Sequence, residues 1–155
     1  MDENFEPKNK TFILTKFLTN QSKLEYNVGA PYYAAPETFI DGYDPYGFPV
    51  DVYSYAILLY SMFTNEVIFD DLKRVNSSQH YLIKIRNGKR LKKREKIPNH
   101  YWELIQRCWQ QNPEDRPTFE EIVNILKNDK YALEEFGMKT DLEQLHEYQR
   151  RIDFD

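Results

Sequence analysis

Between Val52 and Thr64 the apolar side chains do not fall on one stripe. Val52, Tyr55, Ala56, Ile57, Leu58, Leu59, Met62 and Phe63 occupy every side of a helical wheel, and a helix apolar all round must be enclosed by other elements. The stretch from Val50 to Phe63 is broken by Asp51 and several polar atoms, and it falls short of the ~20 residues needed to span a bilayer. It predicts a buried helix at the centre of the fold. A chain of 155 residues is long enough to bury a core around it and too short for two full domains.

The flanking sequence says what can do the enclosing. From Val28 to Pro49 the chain is dense in Gly, Pro and Tyr, and Pro31, Pro36, Pro45 and Pro49 prevent any long helix there. A brief helical turn at Glu37 to Ile40 is the most it allows. After Asn65 the pattern predicts a helix from about Ser78 to Asn87, stopped by Gly88, then a basic segment ending at Pro98. Asn99 is expected to cap a helix carrying Tyr101, Trp102, Leu104, Ile105, Cys108 and Trp109. Pro113 and Pro117 bracket a loop. Thr118-Phe119-Glu120-Glu121 then reads as a capping box, with Ile122, Val123, Ile125 and Leu126 along one face of the helix it opens. Leu142, Leu145, Tyr148 and Ile152 predict an amphipathic closing helix, while the first 26 residues suggest a short strand or two and a long loop. The expected class is mainly α, with loops first and helices after.

Several function classes are disfavoured. With 21 Lys and Arg against 25 Asp and Glu the formal charge is -4, so the molecule as a whole has no field that recruits nucleic acid or an anionic membrane. One cysteine, Cys108, makes no internal disulfide, and His80, His100 and His146 lack metal-ligand spacing. Met1-Asp2-Glu3-Asn4 has neither a basic nor an apolar leader region, which predicts a cytoplasmic protein. The local exception is Lys84 to Lys96, where Lys84, Arg86, Lys89, Arg90, Lys92, Lys93, Arg94 and Lys96 face only Glu95. No interleaved aromatic or groove-reading motif accompanies it, so it reads as a solvated loop between two helices rather than a phosphate or nucleic-acid patch.

Three motifs carry a family resemblance. Gly29-Ala30-Pro31-Tyr32-Tyr33-Ala34-Ala35-Pro36-Glu37 resembles the end of a protein-kinase activation segment with its A-P-E signature. Asp51-Val52-Tyr53-Ser54-Tyr55-Ala56 resembles the start of the buried central helix of the kinase C-lobe. Cys108-Trp109-Gln110-Gln111-Asn112-Pro113-Glu114-Asp115-Arg116-Pro117-Thr118-Phe119 is similar to the C-W-x-x-x-P-x-x-R-P-T-F run of tyrosine-kinase-like serine/threonine kinases. Taken in this order and spacing, they identify residues 1–128 as resembling a partial protein kinase domain, the helical C-lobe preceded by a short β remnant and the activation-segment loop, with 129–155 as a helical tail. The resemblance implies a buried ion pair between Glu37 and Arg116. It implies that Asp51 would accept hydrogen bonds from a catalytic-loop backbone that has no counterpart in this sequence, leaving Asp51 an orphan. Gly29, Ala30, Pro31 and Tyr33 form the remnant of the substrate loop, with Ala30 where a threonine is usual. Tyr32, Tyr33, Thr15 and Ser22 fall where active relatives are phosphorylated, but the arginine that would receive the phosphate is missing.

The resemblance also locates what is altered. Where the family has Asp-Phe-Gly this sequence has Thr11-Phe12-Ile13. The aspartate of that motif holds Mg²⁺ against the ATP phosphates, and a neutral threonine hydroxyl is a poor substitute for a carboxylate. Ile13, β-branched, replaces the glycine that lets the segment flip. No Gly-rich loop, V-A-I-K lysine or H-R-D-x-x-x-x-N is found. The expectation is therefore a pseudokinase-like fragment with no catalytic residue, no metal ligand, and none of the ATP and Mg²⁺ that active relatives use. Its remaining surfaces would bind a protein partner, with no membrane role and no nucleic acid expected. The alternative is part of an ATP-dependent serine/threonine kinase whose other half lies outside this chain; a basic nucleic-acid adaptor ranks last. With the family's preceding helices absent, one side of the central helix is expected to stay uncovered at Ile57 and Leu58, as an apolar patch favouring self-association or a partner.

Overall fold

The computed structural model describes residues 32–39, 47–65 and 78–128. The expected β remnant at the amino terminus and the helical tail from 129 onward lie outside the described residues. Within them the order is a 3₁₀ turn (Pro36–Phe39), helix α1 (Pro49–Thr64), helix α2 (Ser78–Arg86), helix α3 (Asn99–Cys108), a second 3₁₀ turn (Pro113–Asp115) and helix α4 (Phe119–Leu126). The described part is helical, with no strand among the described residues.

Helix α1 starts three residues before the expected Val52. Proline lacks the N–H that the first turn of a helix leaves unbonded anyway, and its fixed φ suits the first helical position. Pro49 therefore opens α1 instead of keeping the chain out of a helix. The helix ends at Asn65, whose φ of 50° and ψ of 23° are left-handed and whose N–H reaches the Ser61 carbonyl. Asparagine tolerates that conformation better than most residues with a side chain.

The core forms around α1. Val52, Tyr53, Ala56, Ile57, Leu59 and Tyr60 are buried together with Tyr101, Leu104, Ile105 and Cys108 of α3 and Ile122 of α4. An aromatic layer closes the α1–α3 seam. Phe63 meets Tyr101 at 4.7 Å between ring centroids, and Tyr60 lies 6.5 Å from Trp102 and 6.3 Å from Trp109. The two tryptophans meet edge to face at 5.4 Å, the geometry aromatic quadrupoles favour. The Tyr60 hydroxyl, at the buried end of this layer, donates to the Lys92 carbonyl at 3.0 Å.

The expectation for the uncovered face needs correction. Ile57 is only 1 % exposed, whereas Leu58 is 49 % and Met62 71 % exposed. Successive helical residues point about 100° apart, so Ile57 enters the core while Leu58 turns to solvent with Met62 one turn later. The outward stripe is narrower than the sequence suggests, because the segment between α2 and α3, through Leu91 and Ile97, joins α3 and α4 in the core around α1.

Two helix starts contrast. Thr118 caps α4 as expected: its hydroxyl accepts from the Glu121 N–H at 3.1 Å, and the Glu121 carboxylate accepts from the Thr118 N–H at 2.7 Å. Asn99 does not cap α3. It is the first helical residue, and Pro98, extended at ψ 150°, holds the cap position while its carbonyl accepts from Trp102 N–H at 2.9 Å. The Asn99 side chain instead accepts a hydrogen bond from Lys93 Nζ. At the other end of the basic segment α2 stops at Arg86, and Gly88 takes a φ of 79° that only glycine adopts freely.

Candidate functional site

The geometry that defines this molecule is a junction where three separate stretches meet. Glu37 sits in the first 3₁₀ turn, which Thr38 braces by donating its hydroxyl to the Ala35 carbonyl at 2.7 Å. Arg116 follows the second 3₁₀ turn, whose start is capped by the Asn112 side chain accepting from Glu114 N–H. A residue before proline is driven away from helical backbone. Ahead of Pro117, Arg116 is accordingly extended, at φ -84° and ψ 141°, and its side chain leaves the turn for the interior.

There the guanidinium forks onto the carboxylate. Arg116 Nη1 donates to Glu37 Oε1 at 2.6 Å and Nη2 to Oε2 at 2.8 Å, across 79 positions of sequence. Nη1 also donates to the Pro49 carbonyl at 2.9 Å, and Nε to the Gln110 carbonyl at 2.9 Å. Both residues are buried. A buried ion pair is tolerable when the geometry is bidentate and most other donors are satisfied, and Arg116 places four of its five N–H donors in these bonds. By bonding the first turn of α1 through Pro49, it ties the loop half of the chain to the helical half.

Tyr53 of α1 lies between two cations. The Arg116 guanidinium carbon is 5.1 Å and that of Arg90 is 5.4 Å from its ring centroid, within cation–π range. Burial pushes the Tyr53 phenol above its ordinary value, against the opposing pull of the two arginines. Nothing in the sequence distinguishes Arg90 from its basic neighbours. It is nevertheless the residue that organises the segment, and the picture of a uniformly solvated loop is corrected accordingly. Its Nε donates to the Trp109 carbonyl at 2.9 Å, Nη1 to the Ile85 and Lys89 carbonyls at 3.1 and 2.9 Å, and Nη2 to Gln111 Oε1 at 2.8 Å. It thereby joins the end of α2 to the end of α3.

The other residues singled out in the sequence fall as follows. Asp51 is on the first turn of α1, exposed, its N–H donating to the Phe48 carbonyl at 3.1 Å; partial burial raises its carboxyl above the ordinary range. Tyr33 is exposed, and its carbonyl accepts from the Ser54 hydroxyl at 2.9 Å. Gly29, Ala30, Pro31, Thr11, Phe12 and Ile13 lie outside the described residues. Among the described residues there is no group of three His, Cys, Asp or Glu side chains that could hold a metal ion. No described helix is long and apolar enough to cross a membrane.

A central helix enclosed by shorter ones, an activation-type turn, and a Glu–Arg pair locking the two together define the helical lobe of a protein kinase. The family described as "Protein kinase domain" matches residues 3–126, and the chain belongs to it. A probable serine/threonine-protein kinase of Dictyostelium discoideum is 33 % identical over 129 residues, covering 83 % of this chain and 14 % of that protein. The RGS domain-containing serine/threonine-protein kinase A of the same organism is 32 % identical over 114 residues, covering 74 % of this chain and 10 % of its own length. A serine/threonine-protein kinase of Arabidopsis thaliana is 30 % identical over 126 residues, covering 81 % and 21 %. The chain thus spans a tenth to a fifth of the length of these relatives.

Proposed function

We propose that this chain performs no phosphoryl transfer of its own and works as a kinase C-lobe module that binds a protein partner. The observation that carries the reading is Thr11-Phe12-Ile13 in place of Asp-Phe-Gly. Phosphoryl transfer is almost entirely positioning and charge neutralisation, and the metal that neutralises the phosphates needs an anionic oxygen ligand. Threonine offers none. On the scaffold side of the domain, by contrast, the bidentate Glu37–Arg116 lock is formed. Partner binding is supported by the exposed apolar pair Leu58 and Met62 on the central helix.

A thermal-shift titration with Mg·ATP tests the catalytic half of this reading. The melting temperature is expected to stay constant. A saturable rise removed by EDTA would show that a metal–nucleotide site exists despite Thr11.

The length of the relatives favours a second reading, in which this chain is one portion of an ATP-dependent serine/threonine kinase. The two are separated by joining the chain to a kinase N-lobe and catalytic loop from a relative and assaying Thr11 against Thr11→Asp. Activity only in the Thr11→Asp fusion supports the first reading, and equal activity in both supports the second.

A further inference from the structure

A cavity of about 430 Å³ opens between α1, α2 and the basic segment that follows α2. Its volume is within the range of small-molecule sites. Part of its lining is apolar: Ile57 from α1, Tyr81 from α2, and Trp109 at the end of α3. Tyr53 contributes to the same wall, wholly buried, and its hydroxyl has no hydrogen-bond partner among the described residues.

The charged groups that the described residues bring to this space, Lys84, Lys89, Arg90, Lys92 and Arg94, are all cationic. Lys84, Lys89 and Lys92 line it, and among the described residues none of them has an ion-pair partner. Arg90 also lines it, and its hydrogen bonds go to the carbonyls of Ile85, Lys89 and Trp109 and to the Gln111 amide oxygen, all neutral acceptors. Described residues contribute no carboxylate to the lining. Like charges gathered at one site repel one another, and an anion placed among them relieves that repulsion. The frame is built beforehand, because Arg90 clamps the ends of α2 and α3 and Gln111 Nε2 returns a bond to the Arg86 carbonyl at 3.1 Å. The lysines remain mobile donors of the kind that hold phosphate as a point charge.

We infer that this cavity binds a small amphipathic anion, a phosphate ester with a flat apolar body, the phosphate held by Lys84, Lys89 and Lys92 and the body lying against Ile57, Tyr81 and Trp109. The site is separate from the family's metal motif and needs no metal ion, so it stands apart from the Mg·ATP reading above: binding here survives EDTA.

The test is isothermal titration calorimetry of the full chain with 1-naphthyl phosphate. Saturable one-to-one binding is expected in EDTA, with 1-naphthol and inorganic phosphate each weaker by at least about tenfold, because each supplies only half of the recognition. Lys84→Gln combined with Lys92→Gln should weaken binding by about tenfold or more. Lys93→Gln combined with Lys96→Gln removes the same charge from the same segment outside the cavity lining and should leave binding within about twofold of the parent. Equal affinity for 1-naphthol and 1-naphthyl phosphate overturns the proposal, as does equal weakening by the two double variants, or no saturable heat from a parent chain that melts cooperatively.

Discussion

The Arg116 guanidinium lies over the ring of Tyr53, 5.1 Å from its centroid, while its two terminal nitrogens grip both oxygens of Glu37. One side chain thus stacks on the central helix, neutralises a buried carboxylate and bonds two backbone carbonyls. Lysine has a single donor point and no plane, so it cannot reproduce that set of contacts.

Replacing Arg116 with alanine leaves Glu37 charged and unpaired in the interior. Such a loss costs about 3 to 5 kcal/mol, and chemical denaturation should show it as a lower midpoint. Arg116→Lys should recover only part of the loss. An unchanged midpoint for Arg116→Ala would mean that the pair contributes nothing to stability.

The cap of α4 predicts both a stability change and a pH effect. Thr118→Ala removes the side-chain half of the box and should cost about 1 kcal/mol. Hydrogen bonds from Thr118 hold the Glu121 carboxyl below its ordinary 4.5. A carboxyl lowered in the folded state contributes stability that is present above the ordinary value and is lost as pH falls through the folded one. Acid titration of the melting temperature should therefore decline less below pH 4.5 in Glu121→Gln than in the parent; parallel curves would show that the bond has no effect.

Cys108 is buried in the α1–α3 core, and burial pushes its thiol up to about 12. The thiolate is the reactive species, so the folded chain should resist iodoacetamide at pH 8 and react once unfolded by denaturant. Rapid alkylation without denaturant would mean that the core opens locally around α3.

Adjacent residues of α1 should behave oppositely. Ile57→Ala leaves a cavity in the core and should cost about 2 to 5 kcal/mol. Leu58→Ser with Met62→Ser alters exposed positions and should shift stability by no more than about 1 kcal/mol while reducing self-association and the binding of an apolar-surface dye. Light scattering on the same samples checks the second effect, and unchanged association would place the sticky surface elsewhere.

Much of the helical plan was legible in local sequence because its signals act over a few residues. The all-round apolar pattern of Val52 to Thr64 marked the central helix, Thr118 and Glu121 marked the start of α4, and Gly88 marked the turn after α2. Where local rules failed, two of them competed. Asn99 is a good cap and Pro98 a good entry to a helix, and Pro98 took the position. Pro49, a helix breaker inside a run, became a helix opener once α1 was placed directly after it.

What the sequence by itself determined was the helices of the described residues and the kinase family through three spaced motifs, since each of these resides in residue types at short spacing. Only the tertiary structure decided which face of α1 is covered, so that Ile57 is buried and Leu58 exposed. It also decided that Arg90, one of many basic residues in its segment, clamps α2 to α3 while its neighbours line a cavity to which the described residues add no carboxylate. The physical reason is range: periodicity and caps are set by neighbours along the chain, whereas burial and charge balance depend on groups that become neighbours only after the helices pack.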